Sequence, residues 1–532
     1  MTFRMRLKLA LTVVSLGTIL GCSPGTESGP GAADSADSEL RRGNGGEPGS
    51  LDPALAEDIH AFAVLADLYE GLVTTDAAGK IIPGVASTWT ASADATEYTF
   101  TLRADAHWSN GDPVVAQDFV RAYRHVASPD TPASYAFLLE PIHNFRRIKT
   151  GKLPAGDLGV SAVDSTTLKI KLEQPTPYLL SVLTMPIASP RHAATTGAVP
   201  VNGAYTLAER APMDVIRLVR NPHFHATDSV QVATVEYYPI VDENAELNRF
   251  RAGELDITQT IPASQLAMLR ERMPRQVRTA PMLGLYYLAF DLTEAPLGDA
   301  ELRKALSLAI DRHALVTLTG RGELPAFGIV PPGVADYDGT AYEWAVLADD
   351  ARLDLARDHY ARAGFSETNP LKLTLLYDAG GAHETIAVAV ADMWREALGV
   401  EVAFDKREWV FFLEARNDKS EWDVMRFSWF GDFDDPATFI DIFRSDNAQN
   451  LPGYSSPRFD DLARAAANES DLDRRRSTMA EAETVLRDDY AIAPLYFYVS
   501  KHLLAPSIRG FEDNVLDRHP SRFISLEPTN AR

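Results

Sequence analysis

Apolar and polar residues alternate along the chain with two different periods, and each period points to one kind of element. Tyr98, Phe100 and Leu102 alternate with Thr99, Thr101 and Arg103, and Leu168, Ile170 and Leu172 alternate with Lys169 and Lys171. Strict alternation sends neighbouring side chains to opposite faces, so both stretches are predicted half-buried strands. Asn110-Gly111-Asp112-Pro113 predicts a turn, followed by a helix from Ala116 to Val126. Further on, Val235 to Val241 reads as a strand, Asn244 to Ala252 as a helix closed by Gly253, and Leu255-Asp256-Ile257 as a short strand. Asp299 is placed to N-cap a long helix through Leu302, Leu306, Ile310 and Leu315. Leu371 to Tyr377 reads as a strand, His383 to Leu398 as a helix ended by Gly399, and Val400 to Phe404 as a second strand. That βαβ unit requires a parallel pair and a right-handed crossover. The class is α/β with several lobes.

The amino terminus follows different rules. Arg4, Arg6 and Lys8 precede an apolar run from Leu9 to Leu20, well short of the ~20 apolar residues that span a bilayer. Residues 1–21 are read as an export signal, kept out of the fold. Ile19-Leu20-Gly21-Cys22 resembles a bacterial lipobox, which implies lipidation of Cys22; the alternative is an ordinary secretory peptide with a chance cysteine. Cys22 is the single cysteine, which favours lipidation and excludes an internal disulfide. Residues 22–38 are rich in Gly, Pro and Ser and read as a flexible tether. The expected location is the periplasm or cell envelope, with membrane contact through the lipid alone, and Ser23 leaves inner or outer membrane open.

Composition then narrows the function. The chain has 532 residues, enough for several domains of ~100–200 residues. A net charge of −23, from 51 Lys+Arg against 74 Asp+Glu, argues against nucleic acid as a partner. His383-Glu384-Thr385-Ile386-Ala387 begins like a zinc-protease helix but carries alanine where the second histidine belongs. The cluster Asp432, Asp434, Asp435 and Asp441 lacks the glycine and distal glutamate of a calcium loop. No enzyme, metal or cofactor is expected.

Glu47-Pro-Gly-Ser-Leu-Asp-Pro53, Leu68-Tyr-Glu-Gly-Leu72, Pro83-Gly-Val-Ala-Ser-Thr-Trp89, Trp108-Ser-Asn-Gly-Asp-Pro113 and Ala116-Gln-Asp-Phe-Val120 occur in order, continued by Asn202-Gly-Ala-Tyr205, Leu306-Ser-Leu-Ala-Ile-Asp-Arg312 and Pro331-Pro-Gly333. With these blocks the chain, from about residue 40 to 530, resembles the periplasmic oligopeptide-binding proteins that feed ABC importers. The resemblance implies a two-lobed type II binding-protein fold with a hinge and an extra domain inserted in lobe I. By analogy lobe I takes residues 39–60, 195–283 and 500–532, the extra domain 61–194, and lobe II 284–499.

A peptide brings an ammonium, a carboxylate and a row of backbone groups, and each charge needs a counter-charge once buried. Asp432, within Trp429-Phe430-Gly431-Asp432-Phe433, matches the family aspartate that receives the ligand's amino terminus; the alternative is an acidic surface loop. Arg416, Arg426 and His383 match family cations for the ligand carboxylate, Arg416 alternatively being a solvated helix-end charge. Histidine would add pH sensitivity, given a reference pKa of ~6.5. Pro48-Gly49-Ser50 and the segment near Ala415–Asn417 resemble strips that pair with the ligand backbone as an added strand. Trp409, Trp429, Tyr135, Tyr287 and Tyr498 match cleft aromatics, any of which could instead be core, Phe430 beside Asp432 is a further ligand-binding candidate, and Glu47 matches a cleft acid or a surface salt-bridge partner.

Three departures stand out. The stretch between Ala188 and Val201 is shorter than the family pattern, and Ala289 replaces a pocket acid, which should weaken preference for basic side chains. Gly284 and Phe430 replace two cysteines present in some members. The expected role is a monomeric receptor that hands short peptides to an ABC permease. The same architecture could instead serve a murein peptide, a nickel chelate or a signalling peptide, and a hydrolase or quality-control protein is the remaining alternative.

Overall fold

The computed structural model describes residues 38–527, apart from 195–198, 335–336, 381 and 448. The export signal, Cys22 and all but the last residue of the tether therefore lie outside the described residues.

Three larger β-sheets each carry their own apolar core. The first orders Glu39–Gly43, Thr234–Tyr238, Val215–Arg220 and Tyr205–Ala211 side by side. Its first pair is parallel and the others antiparallel. Leu40, Tyr205, Leu218 and Tyr237 pack there with Leu504, Ile508 and Ile524, so the first and last described stretches meet in one body, lobe I. The second sheet orders Ala86–Ala91, Glu97–Leu102, Thr167–Lys171 and Val160–Ala162. The apolar positions of its alternating strands, Phe100, Leu168 and Ile170, take Phe119, Val120 and Tyr123 of the helix Ala116–Ala127 onto one face. The Asp118 carboxylate fixes that helix's start, accepting from Trp108 Nε1 at 3.0 Å and from the Val115 N–H at 3.1 Å. This body is the extra domain.

The third sheet, in lobe II, orders Leu324–Pro325, Ile492–Leu503, Val277–Phe290, Val424–Phe430, Lys372–Asp378 and Glu401–Arg407. Lys372–Asp378 and Glu401–Arg407 run parallel, joined by the helix His383–Leu398, which Gly399 ends at φ +76° as the βαβ pattern requires. Val277–Phe290 and Ile492–Leu503 are the long members. They pair antiparallel from Val277 opposite Leu503, among lobe I side chains, to Ala289 opposite Ile492, deep in lobe II, with a register irregularity between Pro281 and Leu285. The architecture is a two-lobed α/β binding-protein fold.

Local departures have local causes. The helix begun at Asp299 stops at Ala309, because Ile310 is extended and the Asp311 carboxylate caps a second helix, Arg312–Thr319, by accepting from the Ala314 N–H at 2.9 Å. Leu255-Asp256-Ile257 makes only isolated bridges, through Ile257 to Arg42 and Leu504. The helix Ile59–Leu68 spans the expected boundary after residue 60, yet Val64 and Leu68 pack into the lobe I core. Among the described residues, no helix is long and apolar enough to cross a membrane.

Candidate functional site

A cavity of about 610 Å³ opens between lobe II and the extra domain. The strand Val424–Phe430 is its spine: Arg426, Ser428, Trp429 and Phe430 line it, and Asp432 follows just past the strand end. Trp409 and Phe412 come from the helix Trp409–Ala415, Arg416 from its C-cap, His383 from the first position of its helix, and Tyr498 from the long strand Ile492–Leu503, one strand beyond Val277–Phe290. The extra domain contributes Tyr135 and Phe137 from the short helix Ser134–Leu139.

The charges here are unequally provided for. Asp432 is part-buried, and its carboxylate makes no ion pair among the described residues; only its backbone N–H is engaged, with Thr438 Oγ1 at 3.4 Å. Burial pushes its pKa up to about 6, with the Arg518 guanidinium pulling partly the other way. Arg416 likewise has no carboxylate partner among the described residues. Its guanidinium lies 5.7 Å from the Phe427 ring, its Nε has no hydrogen-bond partner, and burial lowers its pKa. Arg426 is buried with the Asp378 carboxylate as a direct partner, and sits 5.2 Å over the Phe412 ring.

His383 differs from expectation. The Tyr286 hydroxyl is 3.1 Å from its Nδ1, and Asp378 is 3.9 Å from its Nε2, but that carboxylate is committed to Arg426. Burial first, and the nearby Arg321 second, push its pKa down to about 4. His383 is thus neutral near pH 7, and the pH sensitivity expected of it is absent from that range.

Three further expectations are not met by the geometry. Tyr287 is 0% exposed, packed in the lobe II core between Phe427 at 5.7 Å and Phe443 at 6.0 Å, and its hydroxyl has no hydrogen-bond partner. Glu47 stands away from the cavity, held by Arg210 at 2.9 Å and the Met213 N–H at 3.2 Å. Gly49 spends its N–H on Asp58 at 3.0 Å, and the N–H groups of Arg416 and Asn417 close the preceding helix on Phe412 and Glu414, so neither strip has those donors free for an added strand. A different edge is free. Lys372–Asp378 pairs with Val424 and Met425 only, leaving Arg426 to Phe430 without a strand partner on that side among the described residues. Ala289 is fully buried and outside the cavity lining.

Sequence reasoning missed Phe137, Phe412, Phe427, Ser428 and Gln449 in the lining, together with Asp378, Arg321 and Arg518 around it. Phe137 carried a signal, two positions beyond Tyr135 in the same aromatic stretch. Arg518 carried none.

One group among the described residues has ligand atoms close enough to hold a metal: His502, Asp517 and His519, in lobe I. Their hydrogen bonds already satisfy one another. Asp517 Oδ1 accepts from His502 Nε2 at 2.8 Å and from His519 Nε2 at 3.1 Å, while His502 Nδ1 donates to the Thr258 carbonyl at 2.8 Å. The imidazoles hold the Asp517 carboxyl far below the usual range, and Asp517 in turn raises the pKa of His502 against its burial.

Two α/β lobes, an inserted domain and an aromatic cavity with unmatched charges define a solute-binding protein. The chain belongs to the bacterial extracellular solute-binding proteins, family 5, whose middle region matches residues 80–450. It is 35% identical over 488 residues, 90% of each chain, to the periplasmic murein peptide-binding protein MppA of Escherichia coli. It is 36% identical over 497 residues, 91% of each chain, to the periplasmic oligopeptide-binding protein OppA of Salmonella typhimurium. Superposition on MppA in its unliganded open form gives a TM-score of 0.86 at 35% identity, covering 92% of this chain and 97% of that one. A second structure of MppA gives 0.74.

Proposed function

We propose that this protein captures short peptides in the cavity and delivers them to the permease of an ABC importer. One observation carries the reading: a single aromatic-walled cavity holds a carboxylate, Asp432, and a guanidinium, Arg416, neither of which makes an ion pair among the described residues. A zwitterionic ligand supplies both missing charges. The names of the relatives, oligopeptide- and murein peptide-binding, say which zwitterion to expect.

The ligand lies extended along the free edge from Arg426 to Phe430, exchanging backbone hydrogen bonds, with its ammonium at Asp432 just past the strand end. Backbone pairing gives affinity without naming side chains. Arg416 takes the carboxylate of a ligand of suitable length. Arg426, already paired with Asp378, adds hydrogen bonds without bringing a net charge. Closure brings Tyr135 and Phe137 down from the other side, and the long paired strands bend at their irregularity near Pro281. Water leaves the cavity, and both ionic contacts strengthen.

The same reading places the protein in the periplasm or cell envelope as a monomer, held by lipid on Cys22 and free of nucleic acid, metal and catalysis. MppA of Escherichia coli and OppA of Salmonella typhimurium are both named periplasmic. A receptor dedicated to murein peptide is the second reading, since MppA at 35% identity stands beside OppA at 36%. Native mass spectrometry of the protein purified from its host separates the two. A ladder of mixed short-peptide masses supports general capture, and a single adduct with the mass of a murein tripeptide supports the dedicated receptor. If the protein takes up neither class when both are added, the proposal falls.

A further inference from the structure

Phe430 and Phe137 are large apolar side chains, yet they are 47% and 48% exposed. They belong to different bodies and line the same cavity. Phe430 has a shaped seat. It pairs directly opposite Gly284, and a Cβ there would stand 2.8 Å from the Phe430 ring and 2.9 Å from the Tyr498 ring. Any larger residue at 284 would push one of these rings aside. Phe430 rests on Tyr498 at 4.7 Å, and Tyr498 is held by Ser428 Oγ at 2.9 Å and backed by Tyr496 at 5.3 Å. Across the cavity Phe137 lies 5.6 Å from Tyr135, which meets Phe62 edge-on at 5.5 Å. Both walls are aromatic surfaces with solid support and one open face, the kind of exposed apolar surface that marks a binding site.

The neighbouring charges say what cannot lie between them. Asp432, two positions beyond Phe430, is taken by the ligand ammonium on the reading above, and Arg426 is paired with Asp378. An acidic side chain closed between the two rings would give up its water for ring faces of the wrong sign, and a cationic one would exchange its hydration for cation–π contact alone. An aromatic or long aliphatic side chain would instead bury its own surface and both rings together.

We propose that Phe430 and Phe137 form a side-chain site beside the ammonium anchor, selecting peptides with an aromatic or large aliphatic residue among their first two positions. This rests on the peptide-capture reading and deepens it. An extended ligand advances ~3.3 Å per residue, so the separation of Phe430 from Asp432 along the strand corresponds to the first or second ligand side chain.

The test is calorimetry on the purified protein, freed of bound peptide, with Phe-Ala-Ala, Ala-Phe-Ala, Ala-Ala-Phe and Ala-Ala-Ala. Phe-Ala-Ala or Ala-Phe-Ala should bind about ten- to hundredfold more tightly than Ala-Ala-Ala, the scale of burying one aromatic ring. Phe430→Ala and Phe137→Ala should each pull that ratio towards one, while Phe430→Leu should keep most of it. Similar binding of all four peptides overturns the side-chain site and leaves peptide capture standing. An undiminished ratio in both alanine variants overturns it too. If none of the peptides binds, peptide capture itself fails, and this site with it.

Discussion

Asp517 and Asp432 are both part-buried carboxylates, and their surroundings treat them in opposite ways. Two imidazoles converge on Asp517 and hold its pKa far down, whereas Asp432 meets no cation at ion-pairing distance among the described residues and is pushed up to about 6. The same contrast recurs among the arginines. Arg426 has Asp378, and Arg475 has Asp435 in a two-pronged pair at 2.7 Å, while Arg416 faces the cavity without a carboxylate. Leaving a charge unpaired away from water costs free energy, so a fold closes such gaps unless something else is meant to close them. Asp517 and Arg426 belong to a finished structure. Asp432 and Arg416 mark what a ligand has to bring.

The contrast is sharpest when a finished pair is cut. Asp517→Asn and Arg426→Gln should each destabilise the protein by about 3–5 kcal/mol, the scale of removing one partner from a buried pair, read as a lower urea midpoint. A loss under about 1 kcal/mol in both would mean that these pairs are not structural. Arg416→Gln should leave the urea midpoint within about 1 kcal/mol of the parent. It should instead weaken peptides whose carboxylate reaches it by about ten- to hundredfold, the scale of a charged hydrogen bond, in calorimetry. Equal stability losses for Arg416→Gln and Arg426→Gln would erase the distinction between them.

Acid gives the smaller effect, and its sign differs between the two aspartates. Burial raises Asp432, so its charged form is disfavoured in the empty fold, and that penalty is relieved as pH falls through about 6. Protonation also removes the anchor for an ammonium. Peptide affinity should therefore hold above about 6 and fall up to about tenfold per pH unit below it. Asp517 is depressed, so its contribution to stability is full above the unfolded carboxylate pKa of ~3.9 and is lost only in stronger acid. Calorimetry of one peptide between pH 5 and 8, beside urea unfolding at the same pH values, separates the two. A flat affinity profile would place Asp432 outside ligand capture.

Much of the fold was legible because alternation and helix caps act locally. The strands around Phe100 and Ile170, the helix from Ala116 and the parallel unit ended by Gly399 all lie where their patterns predict. Compensation of charge was not legible, since it is settled by residues far apart in the chain. Asp378 lies 48 positions from Arg426, and Arg210 lies 163 from Glu47, so nothing near either residue showed that it already had a partner. Tyr287 was lost for another reason. Alternation says that Tyr286 and Tyr287 face opposite ways, but not which side is the cavity, and in the folded sheet both are fully buried. The strand edge open to a ligand likewise depends on where Lys372–Asp378 stops pairing, which is a tertiary fact.

The most direct measurement compares Ala-Ala-Ala with its N-acetylated form on the parent protein and on Asp432→Asn, by calorimetry. In the parent, the free ammonium should be worth tenfold or more in affinity. In Asp432→Asn, which should fold as well as the parent, the free-amine peptide should lose about 2–5 kcal/mol and bind no better than the acetylated one. If Asp432→Asn binds Ala-Ala-Ala as tightly as the parent does, Asp432 is not the ammonium anchor and the ligand does not lie along this edge as proposed.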